Sequence, residues 1–429
     1  MIIIIGAGIS GLTAARQLQG RKEFILLEKE NYIGGLSTQY QANGYRFDFG
    51  GHYFHFQDKA DIQTLVQKVC AFKKFNRKSK TFALDRLIPF PIQFHLSYLP
   101  TTVRNKIVKE IMENQFTPAA NLHDFLEINF GKTLFELFFK PFLTKYYNID
   151  LHEIIANMDR GSIPPPDKER IAAGAAGKKF FSSGYNPVFY YPASSLTHFI
   201  ETYAKSIAPG RIHLNEEVTG VDILKKRVKT VNNEYSYDKL ITSMPLKNLV
   251  KIIEPKNLFP YPQEFHHIST LLVNVILKRK RKRFHWVYLA DRDIPFYRAG
   301  FYPVHPFPTC YLEKTVNPGT VIDHEKLREE IVFTLKALKL IEVGEEVAFF
   351  DARIIPVSYV LFTTNWPQVV PSSLEKLKEY GIYSIGRYGS WNYTSMSDDI
   401  KDAITCVRAF GDQEPFREKV PGPPKAFVH

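Results

Sequence analysis

The chain has 429 residues, 45% of them hydrophobic, and a formal net charge of +12. That length is enough for two or three domains, and the hydrophobic share is that of an ordinary globular protein. The charge suits an anionic substrate, an acidic membrane surface, nucleic acid or plain solubility, so it selects none of them. The 34 Phe and 23 Tyr are read mainly as core, with some available to line a pocket for flat rings. Cys70, Cys310 and Cys406 are widely spaced, form no metal or CxxC motif, and are odd in number. We therefore expect no metal site and a reducing compartment. The chain opens directly on an apolar run, with no basic region ahead of it and no small-residue cleavage site, so no secretory signal is expected. No stretch approaches the roughly 18 apolar residues of a membrane span. The expected location is cytoplasmic.

The run Met1-Ile2-Ile3-Ile4-Ile5 reads as a strand that enters Gly6-Ala7-Gly8-Ile9-Ser10-Gly11 and leaves through a helix from Leu12. In a dinucleotide cradle Gly6 allows the tight turn, Gly8 lets phosphates approach the backbone, and Gly11 lets helix and strand pack closely. Free N–H groups at the helix start supply the anion site. The next strand, Phe24-Ile25-Leu26-Leu27, ends in Glu28, an acid in the place that bonds an adenosine ribose hydroxyl. A carboxylate there repels a 2′-phosphate and disfavours NADP. The glycine pairs Gly34-Gly35, followed by Leu36-Ser37, and Gly50-Gly51, followed by His52, let backbone approach a bulky planar group, which favours FAD over NAD.

Helices are expected from Ala60 to Phe72, from Val103 to Asn114 and from Leu122 to Tyr146, on apolar residues at three- and four-residue steps. Breakers at Ser162-Ile163-Pro164-Pro165-Pro166 and Gly174-Ala175-Ala176-Gly177 mark a loop or lid. A helix from Ser194 to Ile207 precedes strands near Val218, over Arg227 to Asn232, Tyr237 to Thr242 and Thr270 to Leu277. The basic run Lys278 to Arg283 is read first as a solvated edge and second as a contact with an acidic membrane surface. It lacks the aromatic alternation that nucleic acid would want, and no nucleic-acid partner is expected. More strand-like runs over Tyr288 to Tyr311, a helix from His324 to Leu340 and strands around Val347 and Tyr359 lead to Gly381-Ile382-Tyr383-Ser384-Ile385-Gly386-Arg387. A helix from about Asp398 to Phe410 closes the chain, with Ser397 as its expected N-cap and Asp398 and Asp399 expected to face away from any flavin.

The fold class that follows is α/β, mixed α+β: an FAD-binding Rossmann-like domain assembled from three separated segments, with an inserted helical and mixed-sheet substrate domain. The three FAD segments are placed at 1–56, 191–255 and 346–410. A mainly helical substrate or lid insertion occupies 57–190, a substrate-domain sheet 256–345, and an exposed tail 411–429.

These residues resemble the flavoprotein superfamily of amine oxidases and protoporphyrinogen oxidase, and within it the UDP-galactopyranose mutase branch. Phe49-Gly50-Gly51-His52-Tyr53-Phe54-His55 is similar to that branch's loop beside the flavin, and Gly386-Arg387-Tyr388-Gly389-Ser390-Trp391-Asn392-Tyr393 with Met396 to its closing signature. Phe142-Leu143-Thr144-Lys145-Tyr146-Tyr147 resembles its cleft segment, and Arg298 falls where the branch keeps an arginine for the substrate diphosphate. The likeness implies non-covalent FAD held by Gly6, Gly8, Ser10, Gly11, Glu28, Gly35, Leu36, Ser37, Gly51, His52, Val218, Gly386, Arg387 and Met396. It implies catalysis by His52, Arg298 and Tyr393 around reduced flavin acting as nucleophile. The substrate it implies is a nucleotide diphosphate sugar, bound by Tyr147, Arg298, Tyr359 and Tyr393. The chain departs from the branch in having Ser395 and Ser397 where acids flank the methionine, and in lacking a second diphosphate arginine around Gly161 to Pro166, with only Arg160 beside it. The alternative is an FAD-dependent oxidoreductase of the protoporphyrinogen oxidase or amine oxidase type, passing electrons to oxygen or a quinone.

Overall fold

The computed structural model describes residues 1–156, 163, 166–180, 187–279, 284–342, 344 and 347–409. The chain divides into two compact units, each stitched from separated stretches: Met1–Lys74, Phe189–His266 and Asn365–His429 form the first, Phe75–Val188 and His267–Thr364 the second.

The first unit is built on a five-stranded sheet in the order Ile382–Ser384, Lys239–Thr242, Ile2–Ile5, Phe24–Leu27, Ile212–His213. Every pairing in it is parallel. Ile2–Ile5 and Phe24–Leu27 are buried at every position, as expected when both faces of a parallel sheet are covered. One sheet therefore draws strands from all three sequence segments. The helix Ile9–Leu18 packs along the closing helix Met396–Arg408 and also on Leu196–Ala204. To the latter it is tied by Thr13 Oγ1 and Tyr203 Oη, 3.0 Å apart. A four-stranded sheet of Val218–Asp222, Arg227–Thr230, Glu234–Ser236 and Ile253–Glu254 completes the unit with the hairpin Gln39–Ala42/Tyr45–Asp48.

The second unit carries a seven-stranded mixed sheet in the order Phe349–Val360, His267–Ile276, Thr309–Val316, Arg298–Gly300, Trp286–Leu289, Ser79–Ala83, Arg86–Pro89. Pairing is antiparallel except between Trp286–Leu289 and Ser79–Ala83. Leu327, Ile331 and Leu335 of the helix His324–Ala337 pack in one core with Val273, Val275 and Leu312 of the sheet. A second core joins Ile107, Leu126, Phe130, Leu134 and Leu143 of a helical layer to Ile268 and Leu361.

Several expected elements change. The helix expected over Leu122 to Tyr146 is Leu122–Phe130, then Lys132–Leu134, a π-helical stretch Phe135–Phe139 and Lys140–Tyr147. The break falls at Gly131, whose φ of +78° is a conformation that side chains rarely adopt, and a Cβ there would meet Glu110 at 2.7 Å. The helix expected to reach Phe72 ends at Gln67, and Phe72–Asn76 is a strand. Ser395, not Ser397, caps the closing helix: its hydroxyl accepts from Asp398 N while Asp398 accepts from Ser395 N in a capping box. The helix Trp366–Glu379 was not read from the sequence, because Pro367 and Pro371 argue against one. Ser162, Pro164 and Pro165 of the expected loop or lid, most of the basic run, and the tail lie outside the described residues.

Candidate functional site

In the first unit the three opening glycines take up distinct positions. Gly6 has φ +93°, and a Cβ on it would meet Ser243 Oγ at 2.5 Å. Gly11 sits so close beneath the turn that a Cβ would lie 1.9 Å from the Gly6 carbonyl oxygen. Gly8 is the N-cap of the helix Ile9–Leu18, with no side chain capping it and nothing within 4 Å of where its Cβ would be. The first-turn N–H groups there carry the positive end of the helix dipole, and no acid in the first turn offsets it. Gly34 N donates to Ala7 O at 2.8 Å, and Gly35, with φ +55°, lies against Gly8. Gly35, Leu36 and Ser37 form a 3₁₀ turn beside the cradle.

Glu28 is buried at the end of its strand. Its carboxylate accepts from Ala7 N at 2.6 Å and from Glu30 N at 3.0 Å. Burial raises its pKa above the usual carboxylate value, against the two backbone donors. The main chain of His213 and Glu216 runs beside it, with Glu28 N donating to His213 O and Glu216 N to Glu28 O. Two residues further on, Val218 opens the next strand.

The closing glycine meets the opening helix directly. Gly386, at φ +72°, would drive a Cβ to within 2.1 Å of Ser10 Oγ, so Ser10 and Gly386 touch although they are far apart in sequence. Gly386 N donates to Asp402. Arg387 Nη1 donates to Thr394 O at 2.7 Å and its guanidinium carbon lies 4.2 Å from the Tyr393 ring centroid, which holds the loop between them. Met396 is the first residue of the closing helix and is buried. Ser397 Oγ is buried and has no hydrogen-bond partner among the described residues. Asp398 is turned back into its cap and to Lys59 Nζ at 3.1 Å. Asp399 is buried, accepts from Thr394 Oγ1 at 2.6 Å, and is pushed by burial up to about 7. His52 and Gly51 follow Gly50, whose φ is +94°.

Asp48 was assigned no role from the sequence. It is fully buried, accepts from Tyr191 Oη at 2.7 Å and from Gln39 Nε2 at 2.8 Å, and burial raises it to about 7. Its place just before Gly50-Gly51 was the available signal.

In the second unit Arg298, Tyr359 and Tyr147 form one polar aromatic cluster. Arg298 Nη2 donates to Tyr359 Oη at 2.8 Å, and the Tyr146 ring lies 5.3 Å from Tyr359 and 4.8 Å from Tyr147. Glu313, which sequence reasoning missed, stands directly opposite Arg298 in the antiparallel pair. It takes Nε, and it takes Nη2 at 2.6 Å, in a bidentate salt bridge. The negative charge of Glu313 raises the pKa of Arg298, against the effect of burial. Lys145 Nζ donates to the carbonyls of Asp291 and Ile294 at 2.9 and 3.0 Å, and burial lowers it to about 8.

Residues 4–69 match the family model of the NAD(P)-binding Rossmann-like domain. Chloroplastic prolycopene isomerase of Arabidopsis thaliana is 37% identical over 110 residues, 25% of this chain but only 17% of that protein. The dTDP-fucopyranose mutase of Escherichia coli is 24% identical over 168 residues, 37% of this chain and 44% of the mutase. The chain thus spans less than half the length of either relative. The crystal structure of a reduced UDP-galactopyranose mutase superposes with a TM-score of 0.88 and 22% identity over 96% of both chains. The fold is therefore the one that mutase adopts, and the resemblance read from the sequence holds for the fold along nearly the whole chain. No helix among the described residues is long and apolar enough to cross a membrane.

Proposed function

We propose that the protein is an enzyme that binds FAD without a covalent link and acts on a nucleotide-activated sugar. The observation that carries this reading is the full-length likeness in fold to the reduced mutase structure. The first unit fits FAD on its own geometry: Gly8 leaves an open approach to an uncapped helix start, and Ser397 Oγ is an orphaned buried polar atom at the start of the closing helix. Bound and reduced, FAD would supply an electron-rich ring able to displace a diphosphate from a sugar. The chain's own residues would do the rest. The first-turn N–H groups after Gly8 hold the pyrophosphate, and Glu28, Val218 and the Gly35-Leu36-Ser37 turn hold the adenosine side and the ribitol. Gly51, His52, Gly386, Arg387 and Met396 would hold the ring. Ser397 and the dipole of the closing helix offset negative charge at its edge. Arg298 Nη1, which makes no hydrogen bond among the described residues, is left to meet a diphosphate, with Tyr147 and Tyr359 as hydroxyl donors. The three free cysteines accord with a cytoplasmic protein.

One observation favours a second reading. The charge of Arg298 is already balanced by Glu313, and such a cluster suits a neutral substrate, as in an FAD-dependent oxidoreductase passing electrons to oxygen or a quinone. The test is purification followed by titration with UDP and dTDP. We expect a yellow protein that releases FAD on denaturation and binds one of these diphosphates. Arg298→Lys should weaken that binding about tenfold, as when one charge-assisted contact is lost, with FAD content unchanged. No flavin after reconstitution overturns both readings. Flavin without diphosphate binding, together with bleaching by an amine or hydrocarbon substrate, leaves the oxidoreductase.

A further inference from the structure

Away from these residues, two histidines meet on the helical side of the second unit. His123 is the second residue of the helix Leu122–Phe130, and His152 lies in the 3₁₀ turn Leu151–Glu153. Backbone bonds pin these segments together: Leu122 N donates to Ile154 O at 2.8 Å and Ala156 N to Ala120 O at 3.1 Å. The two rings stack with centroids 4.0 Å apart and planes at 19°.

The polar groups around them are oriented rather than scattered. Asn121 Nδ2 holds Asp124 Oδ2 at 2.8 Å, which leaves Oδ1 directed at the histidines. That oxygen lies 3.3 Å from His123 Nδ1 and 3.7 Å from His152 Nε2. On the far side of its ring, His152 Nδ1 sits 2.7 Å from Asp150 Oδ1. In the tautomer that donates Nδ1–H to Asp150, His152 presents Nε2 as a lone pair on the side of Asp124. A carboxylate behind the non-ligating nitrogen is the arrangement that orients a metal-binding histidine and raises its basicity.

We propose that His123, Asp124 and His152 form a binding site for a divalent transition-metal ion of the zinc class. One ligand atom from each residue lies within 4.8 Å of the others. Neighbouring ligands in a tetrahedral site with bonds of about 2.0–2.1 Å are about 3.3 Å apart. The two contacts of Asp124 are already near that value, and because a metal lies in the plane of each imidazole, the half-exposed His152 ring must turn out of the stack to bring Nε2 onto the ion. Two imidazoles and one carboxylate select zinc, cobalt, nickel or copper over calcium or magnesium, which take oxygen ligands. Asp124, in the first turn of the helix, offsets its positive end. Three protein ligands leave a position for water, and the bound ion would staple the helix start to the turn at His152. This inference does not depend on the flavin or on the sugar.

The experiment uses the purified full-length protein, stripped with chelator and dialysed. Titrated Co²⁺ should give saturable visible absorption at one equivalent per chain, and Zn²⁺ should displace it and raise Tm by mass action. His123→Gln and His152→Gln should each weaken binding by more than tenfold, and Asp150→Asn by about tenfold through loss of ring orientation. Should a variant fail to fold, Cu²⁺ bound to the unaltered protein is read by electron paramagnetic resonance, where two coordinated imidazole nitrogens are expected. Absence of saturable binding, equal binding in the His123→Gln/His152→Gln protein, or a copper spectrum without imidazole nitrogen overturns the proposal.

Discussion

Arg298 and Glu313 face each other across two antiparallel strands, and the side chains are 18% and 6% exposed. Opposite charges so placed form a cross-strand pair, and at this burial each charge depends on the other. Removing one partner of a buried ion pair costs about 3–5 kcal/mol, much of it from the charge left behind, whereas replacing both is far milder. Arg298→Ala should therefore destabilise the protein by about that amount in denaturant unfolding, and Arg298→Ala/Glu313→Ala by clearly less. Equal losses in the single and double variants would show that the charge left on Glu313 is not the cause. The arginine was singled out from the sequence. Its neutralising partner was not, because strand register alone brings the two together.

Among the elements, the strand–turn–helix at the start makes a prediction that separates packing from binding. Gly11→Ala places a Cβ against the Gly6 carbonyl oxygen, a backbone atom that cannot swing away, and overpacking of this kind costs about 1–3 kcal/mol. Gly8→Ala meets no atom of the protein at a φ of −68° and should leave flavin-free stability unchanged. The methyl group would stand where a phosphate approaches, so Gly8→Ala should purify with much less FAD. Thermal unfolding of the flavin-free proteins and flavin content by absorbance read the two effects. A Gly8→Ala protein with full FAD would remove the cradle from the proposed site. Elements were legible where apolar period and punctuation agreed, as in Ile2–Ile5 and Met396–Arg408. They were misread where a single residue broke a good pattern, as Gly131 does, or where prolines masked a helix, as in Trp366–Glu379.

For the whole molecule, buried carboxyls couple folding to pH. Asp48 and Asp399 are both raised from 3.8 to about 7 by burial. Between about pH 4 and 7 the folded protein binds protons at these sites that the unfolded chain has released, so their contribution to stability falls as pH rises. His95, lowered from 6.5 to about 4 by burial, acts in the opposite sense over nearly the same range. Asp48→Asn isolates one term. The stability of the wild type minus that of Asp48→Asn should fall from pH 4 to pH 7 and then level off, measured by denaturant unfolding across buffers. A difference that is flat with pH would mean that Asp48 is ionised throughout.

The sequence by itself determined the local chemistry: the glycine turn, the acid ending the second strand and the closing glycine. These are consequences of backbone freedom and apolar period, which act over a few residues. Only the tertiary structure decided what meets across the chain. It set Gly386 against Ser10, Glu313 opposite Arg298, Tyr191 on Asp48, and His123 beside His152. Those contacts follow from strand order, register and helix packing, which are fixed by burying the apolar surface of many segments at once, and no window of sequence holds that information.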